Sequence, residues 1–301
     1  MKFKESTLLG LSVSGALLFS IMGIIWGIAA SSQMILFDGL YSFISLGLSG
    51  MSISAYYFMK KENLKQFQYG KESIEPLIVS FKALIITLLC IGAAVSSIYT
   101  LWHGGRDIAL GSALVYAVVS TILCGGVYGV IRSRKAEENS SFLQAESAQW
   151  LMDTLLSAGV LGGFMFAFLL QAAGFHAVLP YVDPFMVLII SVYFLKMPYR
   201  LLRSNGRELI RMVPAPATAA LIYSRAEDLL IKYKMQDMIV RTTKVGKTLY
   251  IDIDYIVDEA SGIQNVKEMD KLRMEFEAGM KQLDMEKWVT ITFTADKYWA
   301  V

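Results

Sequence analysis

Histidine, cysteine and charge are what this chain has least of. Its 301 residues include 2 His and 2 Cys, and only 18% are charged. A soluble domain carries about 25% charged residues, so the shortage excludes an ordinary soluble globule. Cys90 and Cys124 each lie in an apolar run, where they read as small core residues and not as a disulfide or metal pair. The net charge of +2 is too small to argue for nucleic acid. No nucleophile–base pair, nucleotide loop or metal-hydrolase motif is found, which argues against an enzyme. No internal repeat or low-complexity segment is visible either. Lys2 and Lys4 precede the apolar run Leu8–Ser31. That run is longer than the ~7–15 residues of a signal peptide's apolar h-region, and no convincing cleavage site closes it.

Apolar length is what the chain has in quantity. It is 55% hydrophobic, with a mean hydropathy of +0.48. Apolar runs cover Leu8–Ser31, Met34–Met59, Pro76–Leu101, Ile108–Ile131, Ala148–Gln171 and Pro184–Leu202. Each is near the ~20 residues that span a bilayer. The connections sort by charge. One set holds Lys2 and Lys4, then Lys60, Lys61, Lys65 and Lys71, then Arg132, Arg134 and Lys135, then the tail after Arg200. The other holds Ser31–Gln33, the loop of His103 and Arg106, and Ala172–Asp183, which has no Lys or Arg. The positive-inside rule puts the first set in the cytoplasm, giving six spans with both termini inside. Gly23 with Gly27, and Gly159 with Gly163, stand at the spacing that lets helices approach closely in lipid. Ordinary packing within one subunit is the reading taken for both.

Two acids lie within the apolar runs. Insertion scales put the cost of such a residue at roughly 2.5–3.5 kcal/mol, and a charge retained there usually has a use. Asp38 heads a stripe with Ser42, Ser45, Ser49 and Ser52, at alternating steps of four and three, which is one helix face. The stripe reads as the lining of an ion path. Asp153 lies in the fifth run, and Glu146, Gln149, Asp153 and Ser157 step along one face there. Each of these helices thus offers an acid with a polar neighbour one turn away: Asp38 with Ser42, and Asp153 with Gln149. Two such helices facing each other can surround one ion.

After Leu202 the character changes. Pro214 and Pro216 break the chain, and the remainder reads as a small soluble α+β unit. The boundary is set at 212/213, with a transport domain over 1–212 and the α+β domain over 213–301. Helix is expected over Ala217–Lys234, strands over Asp237–Thr243 and Thr248–Val257, helix over Asn265–Leu283, and a last strand over Lys287–Thr294.

FDGLYS at Phe37–Ser42, QWLMD at Gln149–Asp153, FQYGKESIEPL at Phe67–Leu77 and the DP pair at Asp183–Pro184 together resemble the cation diffusion facilitators, proton-coupled exporters of divalent metals. The resemblance implies a helical membrane protein with six transmembrane helices and a C-terminal cytoplasmic α+β domain, ferredoxin-like in αββαβ order. It implies a homodimer in the cell membrane, both termini cytoplasmic, that moves a divalent cation against protons and needs no resident cofactor. It places Asp38, Ser42, Gln149 and Asp153 at the four metal positions. The family usually has an acid or His where this chain has Ser42 and Gln149. Zinc favours nitrogen and sulfur, whereas an oxygen-only set suits magnesium or manganese. Manganese, magnesium, iron and zinc are the cargoes considered. From Ala217 onward there is no His or Cys, and the loop after the second span has Gln68 and Tyr69. The accessory metal sites of the family are therefore expected to be missing.

Overall fold

In the computed structural model, the residues described are 5–61, 65–138, 141–283 and 285–300. The side chains of 5–12, 134–138, 141–146 and 148–149 lie outside that set. The chain divides into two compact units. One comprises residues 1–53 and 82–199; the other comprises 54–81 and 200–301.

The first unit is built on helices α1 (Glu5–Ala29), α2 (Gln33–Lys60), α3 (Ile74–Trp102), α4 (Leu110–Glu138), α5 (Ser141–Ala172) and α6 (Leu179–Phe194). A break at Leu195 leads into α7 (Lys196–Leu209). Five described segments are long and apolar enough to cross a membrane: Gln33–Lys60, Ile74–Trp102, Leu110–Ser133, Trp150–Ala172 and His176–Leu209. The described apolar stretch of α1 is the shorter Val13–Ala29.

The sequence opens the last span at Pro184, but the helix begins at Leu179, so Pro184 lies inside it. Pro180 stands in the first turn, where its fixed φ favours a helix start. A proline within a helix leaves the carbonyl four residues back without its donor. That carbonyl belongs to Pro180, and it accepts the backbone N–H of Arg106 at 2.8 Å instead. The core of this unit gathers Met34, Ile35, Phe37, Cys90, Tyr116, Phe164 and Val187, all nearly inaccessible to solvent.

The second unit carries a three-stranded sheet in the order β1 (Asp237–Val245), β2 (Thr248–Ile256), β3 (Glu286–Thr294). β1 and β2 pair antiparallel and β2 and β3 pair parallel. A parallel pair needs a crossover, and α9 (Val266–Gly279) supplies it, while α8 (Pro216–Lys232) precedes the sheet. The element order is the one the periodicity predicts. Gly246, at φ +58°, takes the first central position of the β1–β2 turn, where a left-handed conformation is needed. Leu249, Ile251, Ile253 and Tyr255 of β2 are fully buried and pack with Ile222, Leu272 and Phe276 of the two helices. Asn265 caps α9, accepting from the Glu268 N–H, and Glu268 returns the contact by accepting the Gln264 N–H.

Two acids of this unit have structural partners. Asp254 pairs with Arg241 at 2.6 Å and accepts from Thr292. Asp258 accepts from Gln236 at 2.8 Å and Ser261 at 2.8 Å, and these bonds hold its carboxyl below the usual range.

Candidate ion-transport site

The site grows from the first turns of α2, which four other helices hold. α1 ends in a reversal in which Ser31 N–H donates to Ile28 and Ser32 N–H donates to Gly27. This paired bonding closes a helix C-terminus. It brings α2 back against α1, where glycine permits the contact. A Cβ on Gly27 would stand 2.5 Å from the Leu36 nitrogen, and one on Gly39 would stand 2.5 Å from the Ile24 nitrogen. The first glycine pair is therefore a packing seam within one subunit. Of the second pair, Gly163 accommodates Met186 of α6.

Asp183 of α6 closes the start of α2. Its carboxylate accepts from Ser32 Oγ at 2.5 Å, from the Gln33 N–H at 2.8 Å and from the Met34 N–H at 3.3 Å. The first N–H groups of a helix have no partner within it and carry partial positive charge, so a buried carboxylate is well placed there. Gln33 adds a bond to α3, donating to Thr100 Oγ1 at 2.9 Å and Ser96 Oγ at 3.2 Å. The sequence shows Asp183 only as part of a family motif. Its work on the N-terminus of another helix depends on a pairing between residues 150 positions apart, which no local pattern displays.

One turn farther along α2 lies Asp38, 3% exposed. It accepts a hydrogen bond from Tyr116 Oη of α4 at 3.0 Å. Ser42, Ser45 and Ser49 continue the face, half-buried, and Ser49 Oγ donates back to the Ser45 carbonyl at 2.9 Å.

The second half of the site is on α5. Asp153 is half-buried. Ser157, one turn on and fully buried, approaches Cys124 of α4 at 3.9 Å. Tyr116, Ser120 and Cys124 form one fully buried stripe along α4, at steps of four. Asp38 meets one end of this stripe and Ser157 the other.

Asp38 and Ser157 thus meet the same face of α4 at different heights. Eight residues separate Tyr116 from Cys124, about 12 Å of rise at 1.5 Å per residue. Among the described residues, no three of His, Cys, Asp and Glu converge tightly enough to hold a metal ion. The side chains of Gln149 and Glu146 lie outside the described residues. Sequence reasoning missed Tyr116, since a tyrosine in an apolar run gives no signal of its own. It also read Cys124 only as core, which its burial agrees with but its surroundings exceed.

No curated relative matches the chain. Residues 9–210, more than half of the chain, match the family of the cation efflux transmembrane domain. The apolar helices and this match make the chain a multi-pass membrane cation transporter, and it belongs to the cation diffusion facilitator family.

Proposed function

We propose that the protein exports a divalent metal cation from the cytoplasm in exchange for protons, by alternating access. In this reading α1 is the sixth span, both termini are cytoplasmic, and the protein works in the cell membrane as a transporter and not as an enzyme. The C-terminal αββαβ domain is its homodimerisation module. Asp38, Ser42, Gln149 and Asp153 supply the metal positions. The observation that carries the reading is a pair of carboxylates on separate apolar helices: Asp38, buried and bonded to Tyr116 of α4, and Asp153 of α5, one turn from Ser157, which meets Cys124 on the same stripe of α4.

The physical logic is charge balance. Two carboxylates in a low-dielectric site disfavour their ionised forms, through burial and mutual repulsion. A divalent cation compensates both charges when they are ionised; two protons do so when it leaves. Exchanging one for the other keeps the site neutral throughout, which suits a place where uncompensated charge is costly. Alternating access in this reading has α2 and α5 bring the two acids to one cargo. The oxygen-rich donor set favours a hard cation of the magnesium or manganese kind.

The test is flux in proteoliposomes. Asp153→Ala is expected to abolish cation uptake while the purified variant remains monodisperse. Undiminished uptake would remove Asp153 from the site.

A further inference from the structure

We infer that Tyr116 determines which cations the site accepts, by engaging one oxygen of Asp38. This inference rests on the transport reading of Asp38 given above. The Tyr116 hydroxyl donates to Asp38 Oδ2 at 3.0 Å, and both residues are buried.

The phenol is held by its surroundings. Its ring stands 5.9 Å from that of Trp26 and 6.4 Å from that of Phe19, both on α1. Trp26 is itself tied to α4, donating from Nε1 to the Ser112 carbonyl at 3.0 Å. Gly23 provides the passage for the hydroxyl: a Cβ there would stand 2.9 Å from Tyr116 Oη. Aromatic walls, a tethered indole and a bare glycine therefore fix one geometry.

The consequence is coordinative. A carboxylate with one oxygen engaged by a donor offers a cation its other oxygen, in monodentate fashion. Magnesium-like ions take octahedral sets of six and are served by monodentate carboxylates. Calcium gathers six to eight oxygens at longer distance and draws on bidentate ones. Tyr116 thus biases Asp38 toward the smaller ion. Its role is positioning and selection; the phenol acts through Asp38.

The experiment compares manganese and calcium uptake by full-length protein in proteoliposomes, for wild type, Tyr116→Phe and Asp38→Ala. Phenylalanine keeps the ring and removes the donor. Tyr116→Phe is expected to raise the manganese KM about tenfold, the scale of one charge-assisted hydrogen bond, with Vmax largely retained. The calcium-to-manganese ratio of Vmax/KM should rise with it. A purely structural loss would lower both ions together and leave that ratio unchanged, which would overturn the inference. If Asp38→Ala abolishes uptake while Tyr116→Phe leaves the ratio unaltered, the transport site stands and the selection role falls. If Asp38→Ala transports normally, both fall. Should Tyr116→Phe fail to purify in folded form, Tyr116→Met fills the same space without a donor, and the same ratio decides.

Discussion

At the scale of single residues, some of the buried polar groups join one helix to another. Asp183 is the clearest instance, taking three donors from the start of α2. Hydrogen bonds to a charged group are worth about 1.5–3 kcal/mol each, and removing the acceptor orphans buried N–H groups. Asp183→Ala should therefore lower the thermal midpoint of the purified protein and accelerate amide exchange at Gln33 and Met34 first. Exchange that stays slow at those positions would show that α2 is held elsewhere. In the C-terminal domain, burial raises the Tyr255 phenol above its ordinary pKa, and its hydroxyl donates to the Ala226 carbonyl at 2.9 Å. A group whose folded pKa is raised contributes stability that is complete below its unfolded pKa, about 10 for a phenol, and lost as pH rises through the folded value. Hydrogen exchange on the full chain should thus show β2 loosening above about pH 10, and Tyr255→Phe should flatten that alkaline decline. Asp38 and Asp153 were legible from composition, because an acid in an apolar run costs energy. Tyr116 and Asp183 were not, because their meaning lies in partners far away in the chain.

At the scale of elements, helix ends repeat one device. Ser31, Arg211 and Lys234 each adopt a left-handed backbone, with φ of 54°, 54° and 51°. Each follows a helix and takes part in the paired reversal bonds: Ser31 and Ser32 to Ile28 and Gly27, Arg211 and Met212 to Glu208 and Arg207, Lys234 and Met235 to Ile231 and Leu230. Glycine is the usual occupant of that position, and a side chain there costs about 1–2 kcal/mol. Lys234→Gly should accordingly slow exchange across α8 and β1 by an amount corresponding to about 1 kcal/mol; faster exchange would contradict this account of the turn. Periodicity located α8, the β1–β2 hairpin, α9 and β3, because alternation and capping are local properties. The start of α6 was misplaced because Pro184 reads as an opening residue. A carbonyl freed by that proline and taken up by Arg106 is a tertiary arrangement that a one-dimensional pattern does not contain.

At the scale of the whole molecule, family membership makes the chain a cation transporter, and the proposal adds one claim: a single cargo is shared between two acids on different helices. Ions bound to independent stations and an ion shared between partners differ in a measurable way, since residues that act together are non-additive. The direct measurement is manganese binding to the purified full-length protein by calorimetry, for wild type, Asp38→Asn, Asp153→Asn and the double variant. A shared ion predicts that either single substitution removes the binding isotherm and that the double variant is no worse than either one. Two partial losses that simply add would contradict it, and would mean that Asp38 and Asp153 serve separate ions.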